Sequence, residues 1–159
     1  MTRLSAVAEL LRRGDVFYNI GGEKPEDVLR AFVKVIRLPK ALNRKALADA
    51  LIERESLATT AIGKGFAIPH PRARLLTEEP SAFISIAYLD TPVSWNSPDG
   101  EPVDTIFLLV SADATQHLSV LAGIACLAEN PGFKDFISGQ PGKSELLGFI
   151  ASLKSCQPV

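Results

Sequence analysis

Thr105-Ile-Phe-Leu-Leu-Val110 is an unbroken apolar run of strand length. A strand with one wetted face alternates apolar and polar residues, whereas an uninterrupted run predicts a strand covered on both faces. Apolar material must therefore lie above and below this segment, and the rest of the chain supplies it in helical form. Leu4, Val7, Ala8, Leu10 and Leu11 recur at helical spacing before Gly14, a stop signal. Pro25 opens a second helix, whose apolar face is Val28, Leu29, Phe32, Val33 and Ile36. Asn43 is an N-cap for a third, with Leu47, Leu51 and Ile52 on its buried side, running to about Arg54 or Ser56. Residues 115–129 carry Leu118, Leu121, Ala122, Ala125 and Leu127 at helical intervals and end at Asn130-Pro131-Gly132. Short helices are predicted at 132–137 and 144–153, and strands at 16–20 and 81–89. The stretch 91–102, with three prolines, reads as a loop or irregular hairpin around Trp95 and Val103. This alternation predicts an α/β three-layer sandwich, a small mixed sheet with helices on both faces, formed by residues 1–159 as one domain.

Composition narrows the function classes. A chain of 159 residues with 47% hydrophobic content can build a core without a disulfide or metal staple. Its formal net charge of −1 gives no electrostatic reason to expect nucleic acid or an anionic membrane as partner. No apolar run approaches the ~20 residues needed to span a bilayer. The N-terminus lacks a signal-peptide pattern, so a cytoplasmic location is expected. Cys126 and Cys156 have no metal-ligand or CxxC spacing; Cys126 reads as a small core residue and Cys156 as part of a frayed end. Neither acidic residues nor histidines show metal spacing, and Gly63-Lys64-Gly65 is neither a P-loop nor a dinucleotide fingerprint, so no metal or cofactor is expected.

The chemistry concentrates between Arg54 and Arg72. His70 is held between Pro69 and Pro71, and each proline biases the residue before it toward extended backbone. Such a frame aims an imidazole, although Pro-His-Pro also describes a rigid surface turn. Gly63 and Gly65, just upstream, could let the chain approach a ligand or partner closely. The only other histidine, His117, falls in the first turn of a helix beyond the apolar strand. That is a place where free N–H groups favour an anion, or where a histidine simply bonds a neighbour. Arg54, at a helix end, either satisfies the last carbonyls or neutralises phosphate charge with its planar fork. Glu55 is its local counter-charge or plain surface. Thr59 and Thr60 offer hydroxyls to a phosphoryl oxygen or to local backbone. Arg72 and Arg74 are solvated or meet an acidic partner rim. Phe66 is buried in the sheet or, if exposed, a docking contact; Trp95 is a core or loop anchor.

Arg54-Glu55-Ser56-Leu57, then Thr60, Ile62-Gly63-x-Gly65 and Ala67-Ile68-Pro69-His70, resemble the active-site stretch of the type-2 enzyme IIA domains of the bacterial phosphoenolpyruvate-dependent phosphotransferase system. That group comprises a fructose/mannitol class and a nitrogen-regulatory branch. Thr115-Gln116-His117-Leu118 resembles the family's second histidine region. The resemblance implies that His70 is phosphorylated through Nε2, with Arg54 and His117 flanking the phosphoryl group and Thr60 near it. It implies an HPr-type phosphocarrier as donor. The acceptor would be a cysteine of a IIB domain in transport members, or a target protein controlled by binding in regulatory ones. No IIB or IIC segment is present in these residues, which favours the regulatory branch. The chain departs from the pattern at Pro71, where a small residue is usual, and at Ala58 and Ala61, where glycine is common and whose presence implies a stiffer approach loop.

Overall fold

A computed structural model describes residues 2–76 and 81–153. In chain order these form α1 (Arg3–Arg13), β1 (Val16–Ile20), α2 (Pro25–Val35), α3 (Arg44–Leu57), β2 (Ala61–Gly63), β3 (Phe66–Ala67), β4 (Phe83–Val93), β5 (Val103–Val110), α4 (Ala114–Glu129), α5 (Pro131–Ser138) and α6 (Lys143–Ser152). The helix ends follow local chemistry. The Thr2 side chain accepts from Ser5 N–H, Asn43 from Ala46, Asp113 from Gln116 and Asn130 from Phe133, so each satisfies a donor that the first turn leaves orphaned. Pro25 and Pro131 occupy first-turn positions, where the missing N–H has no partner to lose. At the far end of α2, the Arg44 guanidinium donates to the carbonyls of Val33 and Ile36, placing a cation at the negative helix terminus.

The strands form one sheet in the order β1-β4-β5-β3-β2. β1 runs parallel to β4, β4 antiparallel to β5, β5 parallel to β3, and β3 antiparallel to β2, so the sheet is mixed, as expected. The apolar run lies on β5 between β4 and β3, and its side chains alternate between two cores. Phe107 and Leu109 join Ile84, Ile86 and Tyr88 against residues of α1, α4, α5 and α6. Ile106, Leu108 and Val110 join Phe83, Ala87 and Leu89 against residues of α2 and α3. Both faces are covered, which is why the run carries no polar alternation.

Three expectations change. β4 extends to Val93 and β5 begins at Val103, so both strands reach further than expected; the two pair antiparallel with an irregular register, and the proline-rich stretch is the hairpin of its two readings, with 94–102 as its loop. The central stretch contains a hairpin that its sequence did not announce, β2–β3. Its turn, Lys64-Gly65, has φ of 58° and 85°, the left-handed pair required at both centres of a type I′ turn. Gly65 thus serves hairpin geometry rather than ligand approach. Cys126 is half-buried, not a fully buried core residue; Cys156 lies outside the described residues. Trp95 is a buried anchor at 2% exposure, as expected.

Candidate active site

The sheet delivers both histidines to one edge. β3 and β5 are parallel neighbours, with Phe66 beside Thr105 and Ala67 beside Ile106. Their pairing continues past β3, where Leu109 N–H donates to the Pro69 carbonyl at 2.9 Å. The chain leaving β3 therefore presents His70 at the carboxyl end of β5. From there Ser111, Ala112 and Asp113 lead into α4, whose first turn holds His117. The two imidazoles lie 4.8 Å apart, centroid to centroid, with planes at 62°. Forty-six residues of intervening sequence are closed by the parallel register of two strands.

Each ring is oriented through Nδ1. His70 Nδ1 lies 2.7 Å from the Ile68 carbonyl, which can only accept, so Nδ1 carries the proton and Nε2 of the neutral ring is a bare lone pair. His117 Nδ1 lies 2.8 Å from Ser111 Oγ. Burial holds the His70 pKa below the ordinary histidine value; the bond to Ile68 opposes this, the Arg54 charge adds to it and Glu55 opposes it. Burial also lowers His117, reinforced by His70 and by Arg54. Both rings are therefore neutral at pH 7.

Arg54 ends α3 and donates to the Ala58 carbonyl at 2.6 Å, just past the helix. A guanidinium has five N–H donors, so this bond leaves others for an anion. Its charge acts on both imidazoles and holds each of them toward the neutral form. Ala58 is fully extended at φ −167°, a conformation open to any residue, so alanine fits where a glycine was expected.

Thr60 is different from its expected role. It is 6% exposed, and its hydroxyl donates to Glu55 Oε1 at 2.6 Å. Its N–H donates to Glu55 Oε2, also at 2.6 Å. Here the hydroxyl supports Glu55 rather than facing an anion. Glu55 also accepts from Trp95 Nε1 at 2.8 Å. Glu55 thus ties the end of α3 to β2 and to the loop after β4. Its sequence signal was only its place beside Arg54. Thr60 passes the constraint onward: its carbonyl accepts the Ile68 N–H at 3.0 Å, and Ile68 orients His70.

Phe66 is fully buried in an aromatic cluster with Phe107 and Phe133, so it is a core residue and not a docking contact. The exposed apolar side chains beside the site are others: Leu57 at 58% and Leu118, next to His117, at 67%. His117, Ser111 and Leu118 line a cleft of about 530 Å³ together with Pro71, Arg72 and Arg74. Pro71 thus forms part of the cleft wall. Arg72 is exposed, and Arg74 donates to the Ala112 carbonyl at 3.2 Å. Among the described residues no group of three or more histidine, cysteine or acidic side chains could hold a metal ion. No described helix is long and apolar enough to cross a membrane.

Covered on both faces and carrying its histidines at one sheet edge, the molecule has the fold of phosphotransferase IIA proteins. The crystal structure of nitrogen regulatory protein IIA-Ntr from Neisseria meningitidis matches 91% of this chain and 98% of its own, with a TM-score of 0.76 at 24% identity. Residues 9–153 match the family model for the phosphoenolpyruvate-dependent sugar phosphotransferase system, EIIA 2, and the chain belongs to that family. A nitrogen regulatory protein of Pseudomonas aeruginosa is 28% identical over 153 residues, 94% of this chain and 97% of that one. The fructose-specific EIIABC component of Bacillus subtilis is 30% identical over 124 residues, 76% of this chain but 19% of that larger protein.

Proposed function

We propose that this phosphotransferase-system IIA domain is a phosphohistidine carrier whose acceptor atom is His70 Nε2, and that it acts as a regulator of the nitrogen-regulatory type. The observation that carries the reading is the imidazole pair itself: two neutral rings in contact, both engaged at Nδ1, beside a cation. The donor is an HPr-type phosphohistidine protein. The Nε2 lone pair attacks phosphorus as the donor's P–N bond breaks, and the donor ring recovers its lone pair. No proton needs to move, because His70 keeps its Nδ1 proton and becomes an imidazolium whose charge the Ile68 carbonyl stabilises. Such a transfer passes through a loose transition state, so positioning and charge dominate. Arg54 supplies the charge and His117 a neutral neighbour for the phosphoryl oxygens. Leu57 and Leu118 suit a protein partner better than a small molecule, since exposed apolar side chains at a site mark interfaces.

The regulatory branch is favoured by the nitrogen regulatory relative that this chain matches over nearly its whole length. A second reading, transfer from His70 to a IIB cysteine in sugar uptake, is favoured by the fructose-specific relative. Incubation with labelled phosphocarrier tests both. Label on His70 that changes binding of a target protein supports regulation; label that moves to a IIB cysteine supports transport. A His70→Ala variant that still accepts label removes His70 as the site.

A further inference from the structure

We infer that Ser111 is a positioning residue that fixes His117 in its Nε2–H tautomer, so that His117 presents a donor rather than a lone pair to a phosphoryl group on His70. The inference rests on the carrier reading for its consequence, but not for its geometry. A neutral imidazole has one N–H and one bare nitrogen, and the group bound to one nitrogen decides which is which. Ser111 Oγ lies 2.8 Å from His117 Nδ1. A hydroxyl can donate or accept there, and two considerations choose donation.

The first is the hydroxyl's own hydrogen. Ser111 is half-buried, and among the described residues its only side-chain bond is the one to His117. Donation to Nδ1 satisfies both the hydroxyl hydrogen and the ring nitrogen. Acceptance from an Nδ1–H would leave that hydrogen without a protein acceptor, and a part-buried donor without a partner is destabilising. The second is the neighbour. His70 spends its proton on the Ile68 carbonyl, so its own Nε2 is bare. A second bare Nε2 on a ring 4.8 Å away would add lone-pair repulsion, and would repel the oxygens of an arriving phosphoryl group. An Nε2–H on His117 does the opposite and donates to those oxygens.

Ser111 is well placed to impose this. It follows Val110, whose register is fixed by pairing with Phe83, and it precedes the α4 N-cap Asp113. Ala112 N–H donates to Gln116 Oε1 at 3.1 Å, which pins the turn between strand and helix. The serine hydroxyl therefore stands on a rigid corner one helical turn from the ring it orients.

The test is nitrogen NMR of histidine-labelled full-length protein, with single-turnover phosphorylation by an HPr-type carrier in parallel. In the parent protein His117 should report a protonated Nε2 and an unprotonated, hydrogen-bonded Nδ1. Ser111→Ala should give a mixture of tautomers and slow phosphoryl acceptance by roughly 5–10-fold, the range expected for one lost hydrogen bond. The half-saturating carrier concentration should stay unchanged, because docking is not touched. Ser111→Thr keeps the hydroxyl and should restore both readouts. An Nδ1–H tautomer in the parent protein, or a single unchanged tautomer in a folded Ser111→Ala variant, overturns the inference. Failure of the parent protein to accept label at all would sink the carrier reading instead, and the NMR result would still decide the tautomer.

Discussion

Replacing Glu55 with alanine should destabilise the protein by about 3 kcal/mol, although Glu55 belongs to no apolar core. Its carboxylate accepts three bonds, from Thr60 N–H, the Thr60 hydroxyl and Trp95 Nε1. Thr60 and Trp95 are 6% and 2% exposed, so water reaches their donors poorly once the acceptor is gone. A stranded buried donor costs roughly 1–3 kcal/mol. The hydroxyl can rotate toward another acceptor, which leaves two N–H groups to carry the loss, hence the total near 3 kcal/mol. For a chain of this size that corresponds to a fall in Tm of roughly 6–12 °C. Glu55→Gln keeps one acceptor oxygen but turns an amide donor toward another donor, so it should lose about half as much. Thr60→Val should lose about 1 kcal/mol, and combined with Glu55→Ala it should add little, because the two share their bonds. Urea titrations of the parent and the four variants give the free energies directly. A loss below about 1 kcal/mol for Glu55→Ala, or full additivity with Thr60→Val, would refute the reasoning. The same variant should loosen His70, since Thr60 holds Ile68 and Ile68 holds the ring.

Two further outcomes follow from the geometry. Both histidine pKa values lie below 6.5, so the neutral nucleophile should persist through pH 6.5 and phosphoryl acceptance should decline only in more acid solution. These two rings bind fewer protons in the folded state than in the unfolded chain, so their contribution to stability should be level well above pH 6.5, fall as the pH drops from about 6.5 toward the folded values, and level off below them. An NMR titration placing either ring at or above 6.5 would contradict this. Gly14→Ala should cost about 3 kcal/mol or more: its φ of −98° is ordinary, but a Cβ would stand 1.6 Å from the Ile84 carbonyl oxygen, in backbone that cannot step aside. A urea midpoint within about 1 kcal/mol of the parent's would show that α1 can shift away from β4 easily.

Local chemistry made much of this molecule legible in advance. Helices begin where Asn43 and Pro25 permit and end near Gly14 and Asn130, because caps, prolines and glycines act on their immediate neighbours. The apolar run at 106–110 announced its two-sided burial, since a strand covered on both faces has no wetted side to impose polar alternation. His70 was conspicuous through its two prolines, and His117 through its place at a helix start. What the sequence could not reveal depends on pairing between distant segments. β2 and β3 are three and two residues long, too short for alternation to register, and β3 is held between β2 and the distant β5. The same parallel register brings His70 and His117 to 4.8 Å. Thr60 read as a hydroxyl for a phosphoryl oxygen or for local backbone, and Glu55 as a counter-charge to Arg54 or plain surface, because the acceptor of one and the donors of the other come together only after α3, β2 and the Trp95 loop have met. Hydrogen-bond partners are set by three-dimensional neighbours, and a linear chain records only which groups are able to pair.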